Sequence, residues 1–212
     1  MATPPPRRPQ PRQGDLFGGM AGEGAGAGGA DGIPPLPLQS HQLLQWQQRL
    51  EHYQAPLFEA AGRRGGESPG QTDLFGTVER LSVHNLDPLA LAAQPLNFWR
   101  WPESQQHGAA LYFVLDRPPH LSAPLLLYVG ETSRADQRWK GEHDCKSYLA
   151  AYGEALQQLG LGSQLSIRFW ADAPVELRQR RALEQAFIRH WLPPFNKETR
   201  GRWATPFTAD LN

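Results

Sequence analysis

The 212-residue chain contains one cysteine, Cys145, and no long apolar run, and its charges cancel. A single thiol cannot close an internal disulfide and leaves no Cys-rich zinc cluster, so a reducing, cytoplasmic setting is expected. No stretch approaches the roughly 20 apolar residues of a membrane span. The opening MATPPPRRPQPRQ has adjacent arginines with no apolar run behind them, so neither membrane insertion nor secretion is expected. The 21 Lys and Arg balance 21 Asp and Glu. This hides an asymmetry, because 108–203 carries 13 basic against 10 acidic residues and the remainder carries the opposite excess. Such a surplus permits DNA binding without diagnosing it, since a solvated helix face produces the same count.

Glycine and proline are abundant, at 21 and 20 residues, and they are unevenly placed. Residues 1–39, with GGMAGEGAGAGGADG at their centre, hold too little apolar surface to offset roughly 1–2 kcal/mol of backbone entropy per ordered residue, and a largely disordered tail is expected. Leu43, Trp46, Leu50 and Tyr53 recur at helical spacing behind Ser40, a candidate N-cap, which predicts a short helix over 40–58. This helix either packs on the main domain or offers a partner its apolar face. A Gly-rich linker over 59–76 and an irregular, proline-interrupted lead-in over 77–107 follow.

Regular patterning begins at AALYFVL (109–115) and resumes at PLLLYVG (124–130), two apolar runs that read as a hairpin. ETSRADQRWKGEHDCKSYLAAYGEALQQLG reads as one or two helices, and SQLSIRFW (163–170) alternates as a half-buried strand does. Pro174 is placed to open a last helix that Pro193 and Pro194 close. The expected fold is α/β: a small sandwich with a three-stranded, mainly antiparallel sheet in β-β-α-β-α order over 108–203, then a short tail over 204–212.

Ala110-Leu111-Tyr112 and Tyr128-Val129-Gly130 lie one on each strand of the hairpin, Arg138 follows Gly130 by eight residues, and Glu184 precedes Asn196 by twelve. In this order and on these elements the residues resemble the GIY-YIG nucleases, and the Glu–Asn spacing is similar to that in the incision nuclease of bacterial nucleotide-excision repair. Ala110 stands where the family usually has Gly, and the hairpin loop is longer than the common one. The resemblance covers roughly 108–203. It implies a metal-dependent DNA endonuclease in which Glu184 holds one divalent ion, Mg²⁺ or Mn²⁺, and Arg138 clamps the phosphate. Tyr112 and Tyr128 would flank the scissile bond, with Tyr112 the nearer to the nucleophilic water. His143 would relay a proton, the alternative being an exposed polar residue, and Asn196 would orient the phosphate or brace Glu184, the alternative being a turn residue after the helix stop.

The residues support part of this independently. Glu184 lies four before Ile188 and seven before Trp191, which sets a carboxylate beside the stripe facing the sheet, where ionisation is expensive unless a cation compensates it. The alternative is a surface Glu paired with Arg180 or Arg181 one turn earlier. A non-catalytic DNA-structure or clamp adaptor with the same fold, and a restriction or homing nuclease, stand as rival functions.

One phrase lies outside the domain. Gln-x-x-Leu-Phe occurs at 13–17 (Gln13, Leu16, Phe17), at 54–58 (Gln54, Leu57, Phe58) and at 71–75 (Gln71, Leu74, Phe75). The first and last copies are similar to the peptides with which bacterial repair and replication proteins dock on the sliding clamp, Leu and Phe anchoring an apolar pocket and Gln its rim. That resemblance implies the clamp as a partner. In the second copy, Pro56 and the preceding helix leave docking and burial of Phe58 equally open.

Overall fold

The computed structural model describes residues 38–65, 83, 86–97, 107–138 and 144–207. The elements are helix α1 (Ser40–Gly65), strands β1 (Ala93–Gln94), β2 (Ala110–Asp116) and β3 (Leu125–Thr132), a single turn α2 (Ala135–Arg138), helix α3 (Asp144–Gln158), strand β4 (Ser166–Trp170), helix α4 (Leu177–Trp191) and a 3-10 turn at Arg200–Arg202. The fold is α/β with a four-stranded antiparallel sheet in the order β1-β4-β2-β3. The three expected strands are joined by a fourth, β1, in the lead-in, where two residues between prolines pair with Ile167 and Arg168. Among the described residues no helix is long and apolar enough to cross a membrane.

Alternation along β2 divides the core. Leu111, Phe113 and Leu115 point to one face, where they meet Leu183, Phe187 and Trp191 of α4 and Phe58 and Ala61 of α1. The LLLYV run of β3 cannot alternate simply, and a bulge resolves it: Val114 faces Tyr128 while Leu115 faces Leu126, so Leu127 is the extra residue. The shift brings Leu126 onto the same face as Val129. Tyr112, Val114 and Asp116 point to the other face. There α3 lies against them, Tyr152 Oη donating to Asp116 at 2.7 Å. Asp116 also accepts from Ser163 and the Gln164 N–H. Burial nevertheless holds its carboxyl above the usual range, against the pull of those bonds.

α1 packs on the sheet domain and is longer than its periodicity suggests. Leu43, Trp46, Leu50, Gln54 and Phe58 form one buried stripe. The Gln42 side chain accepts the Gln39 N–H at 2.8 Å, the back-reaching half of a capping box, so the cap is Gln39 and not Ser40. The helix continues through exposed Pro56 into what read as linker. A proline inside a helix costs about 3 kcal/mol, and the tertiary contacts of Gln54 and Phe58 on either side offset it.

Those contacts decide the second Gln-x-x-Leu-Phe phrase. Gln54 is buried, accepts the Leu126 N–H at 2.8 Å and donates to the carbonyls of Leu126 and Trp191, both at 3.0 Å. Phe58 packs on Trp191 with ring centroids 4.5 Å apart. Gln54 and Phe58 of this copy are therefore part of the core, while the copies at 13–17 and 71–75 lie outside the described residues. At the other end, Phe207 in the expected tail packs on Trp46, Tyr152 and Phe195.

Arg180 marks a further difference, at the start of α4. Its buried guanidinium donates to the carbonyls of Pro174 and Val175 at 3.0 and 2.8 Å, both of which precede the extended N-cap Glu176, and the helix begins at Leu177. It ends where Leu192 turns left-handed (φ 47°) before Pro193 and Pro194.

Gln54→Ala should lower unfolding free energy by at least about 2 kcal/mol, because buried backbone groups of Leu126 and Trp191 lose their partners. Urea unfolding measures it, and parent-like stability would contradict the structural role.

Candidate active site

The register of the hairpin builds the first half of the site. Tyr112 lies opposite Gly130, so Tyr128 is its diagonal neighbour on the same face. Their rings stack at 5.9 Å with 29° between planes. Gly130 is required by its neighbour: a Cβ there would overlap Cζ and Oη of Tyr112 and stand 2.8 Å from Cε1. The glycine thus leaves the space in which the Tyr112 ring lies.

Arg138, the last residue of the α2 turn, donates from Nε to Tyr112 Oη at 3.1 Å. Burial and the neighbouring Tyr128 push the Tyr112 phenol well above 10, and Arg138 only partly reverses this. Burial, then Cys145 and Glu184, push Tyr128 up to about 12, while Arg138 and the hydrogen bond from Tyr112 pull it back. The polar chain therefore runs from Arg138 through Tyr112 to Tyr128. Tyr112 is fully buried and Tyr128 partly exposed. Tyr128 is thus the phenol turned toward solvent, and Tyr112, expected as the nearer to the nucleophilic water, is enclosed.

Glu184 enters from α4. Its Oε1 accepts the Glu131 N–H at 3.0 Å, at the open edge of β3. Arg180 and Arg181, its alternative partners one turn earlier, turn to the Glu131 side chain at 2.9 and 3.6 Å. Glu184 takes part in no ion pair among the described residues. Burial raises its carboxyl to about 7; the Glu131 N–H opposes this, the Glu131 and Glu198 carboxylates add to it, and Arg138 counters them. No group of three or more His, Cys, Asp or Glu able to hold a metal occurs among the described residues.

Asn196 has a different place from the one expected. Its Oδ1 accepts the Val129 N–H at 3.0 Å and its Nδ2 donates to the Val129 carbonyl at 2.8 Å, with the residue buried. The amide expected at a phosphate or at Glu184 is engaged by β3, between Tyr128 and Gly130. Tyr112, Tyr128, Arg138 and Glu184 are brought together, Asn196 braces them from behind, and His143 lies outside the described residues.

Two participants were missed by sequence reasoning. Glu131 follows Gly130 directly, and its position at the strand end beside the triplet was the available signal. Arg180, fully buried, links Glu131, Ser133 and the start of α4, and the available signal was its helical spacing before Leu183, Phe187 and Trp191, which sets it on the buried stripe, unlike Arg178 and Arg181.

No protein-family model matches the chain, and no curated protein or solved structure matches it.

The Glu184 shift sets a pH dependence of stability. A carboxyl raised on folding stabilises fully below its ordinary value of 4.5 and loses that contribution as pH rises through about 7. Relative to Glu184→Gln, which keeps the Oε1 acceptor and does not titrate, the parent should lose up to about 3 kcal/mol across that window. Unfolding free energies of both proteins at stepped pH measure the difference, and a constant offset would contradict the burial account.

Proposed function

We propose that the chain is a metal-dependent DNA endonuclease of GIY-YIG type. The observation that carries this reading is the convergence of Tyr112, Tyr128, Arg138 and Glu184 from β2, β3, α2 and α4, with Arg138 bonded to one phenol and Glu184 a half-buried carboxylate outside every described ion pair. Phosphodiester hydrolysis needs an activated water, neutralisation of charge on the phosphoryl oxygens and help for the leaving alkoxide. A divalent cation, Mg²⁺ or Mn²⁺, supplies Lewis acidity and a more acidic water when bound. Glu184 fits it: Mg²⁺ takes one or two carboxylates and completes its shell with waters and substrate phosphate. A nearby cation also relieves the burial that holds this carboxyl at about 7.

The chain's own groups do the rest. Arg138, fixed by Tyr112 through Nε, directs its Nη groups at the phosphate, a forked contact that lysine does not reproduce. Tyr128 meets the attacking water, and the hydrogen bond from Tyr112 behind it stabilises negative charge on its oxygen. Asn196 keeps β3 in place beneath Tyr128. Recruitment belongs to the same proposal: residues 13–17 and 71–75 dock on the sliding clamp, and two weak anchors on one chain lengthen residence by effective concentration.

One observation favours the non-catalytic adaptor. Burial pushes Tyr112 well above 10 and Tyr128 up to about 12, far from a base useful at neutral pH. A screen over plasmid, flap, splayed and abasic DNA with and without Mg²⁺ separates the readings. Nicking should require the metal, and Glu184→Ala and Arg138→Ala should each lose about 10²-fold or more. Binding without turnover would establish the adaptor, and full activity in Glu184→Ala would overturn the enzyme.

Clamp docking has its own test. Leu16→Ala/Phe17→Ala and Leu74→Ala/Phe75→Ala should each weaken binding to purified clamp about tenfold at that copy, and the four changes together should weaken it far more. Calorimetry measures it, and parent-like binding by the quadruple variant would remove the clamp from the proposal.

A further inference from the structure

The turn that follows Asn196 carries cations for which the site described above has no use. Between 197 and 202 stand Lys197, Arg200 and Arg202 against one carboxylate, Glu198, which accepts from Gln185 Nε2 at 2.8 Å. Lys197 and Arg202 are exposed. Arg200 is half-buried and held in place: Nη1 donates to Tyr148 Oη at 3.2 Å, and its Cζ lies 5.7 Å from the Tyr148 ring centroid. Tyr148 in turn stacks on buried Phe195 at 5.5 Å with 21° between planes. No carboxylate pairs with Arg200 among the described residues.

This turn is tied to the candidate centre by short links. The N–H groups of Thr199 and Arg200 donate to the Asn196 carbonyl at 3.1 and 2.9 Å, and the Thr199 hydroxyl donates to the Pro193 carbonyl. The Asn196 side chain grips Val129, whose chain neighbours are Tyr128 and Gly130. Arg200 therefore stands one hydrogen-bonded turn from the strand that carries Tyr128. An arginine fixed by a tyrosine hydroxyl and an aromatic stack loses little further freedom when it meets a ligand, and its remaining donors form the planar fork that suits phosphate.

We propose that the 196–203 turn grips the sugar–phosphate backbone of the DNA strand running past the candidate centre, with Arg200 as the fixed phosphate contact and Lys197 and Arg202 as flanking charges. This rests on the nuclease reading and extends it. Most of the modest basic excess of 108–203 is thus a local feature of one turn, where it can direct a strand across Tyr128 and Glu184. Phosphate contacts of this kind position a strand without reading its sequence.

The test is equilibrium binding of a fluorescent splayed duplex by the full chain in EDTA, over a series of NaCl concentrations. Each lost phosphate contact lowers the slope of log K against log salt by about 0.9 on duplex or about 0.7 on single strand. Arg200→Ala should lose about that much and bind about fivefold more weakly at low salt, while Arg200→Lys should keep the slope. In steady-state cleavage with Mg²⁺, Arg200→Ala should raise KM and leave kcat near the parent value. If Arg200→Ala does not fold, Lys197→Ala and Arg202→Ala, both at exposed side chains, should reduce the slope in its place. A parent that binds with a clear salt slope, and variants that all keep it, would overturn the grip and leave the nuclease reading standing. A parent whose binding is absent or independent of salt would remove the nucleic-acid reading itself.

Discussion

The open edge of β3 is the constraint around which the rest of the molecule is arranged. The sheet order leaves β3 with a neighbour on one side only, so the outward backbone groups of Leu126, Val129 and Glu131 need partners from elsewhere. Among the described residues no further strand supplies them. Gln54 of α1 takes both groups of Leu126, Asn196 takes both groups of Val129, and the Glu184 carboxylate takes the N–H of Glu131. At the bulge, Leu127 O receives the Phe195 N–H. Three side chains from three parts of the chain thus finish a strand edge.

This arrangement joins fold and site. Holding β3 in register fixes Gly130 beside Tyr112 and sets Tyr128 diagonal to it, so both phenols inherit their positions from the edge contacts. The same contacts bring Glu184 inward, where burial makes its charge costly. In the proposed reading a structural role and a site role meet in this one carboxylate, whose Oε1 serves the strand. Asn196 shows the division from the other side: both its oxygen and its amide nitrogen serve Val129, and its contribution to the site is to keep the strand still.

Much of this was legible in the sequence, and what was not has physical reasons. β2 and β3 announce themselves by apolar runs, and Tyr112, Tyr128, Arg138 and Glu184 were recognisable from their order along expected elements. β1 was hidden because two residues between prolines carry no period. The bulge was hidden because three consecutive leucines do not say which one is extra. The phrase at 54–58 was ambiguous for a sharper reason: Gln-x-x-Leu-Phe is also an i, i+3, i+4 helical stripe, so a docking peptide and a buried helix face have the same letters. Only the depth of Gln54 and Phe58 in the core separates them. Tyr112 and Tyr128 likewise could not be ranked by exposure from their triplets, since burial of the first depends on what the fold packs around it.

Side chains complete the β3 edge, and residue-resolved amide hydrogen exchange of the unmodified protein tests this most directly. The outward amides of Leu126 and Val129 should exchange as slowly as the inward amides of Tyr128 and Gly130, which face β2. Glu131 should join them at a pH above about 7, where its acceptor is ionised. If Leu126 and Val129 instead exchange at the rate of an uncovered edge strand, Gln54 and Asn196 do not hold β3, and the positioning of Tyr128 and Glu184 derived from them does not stand.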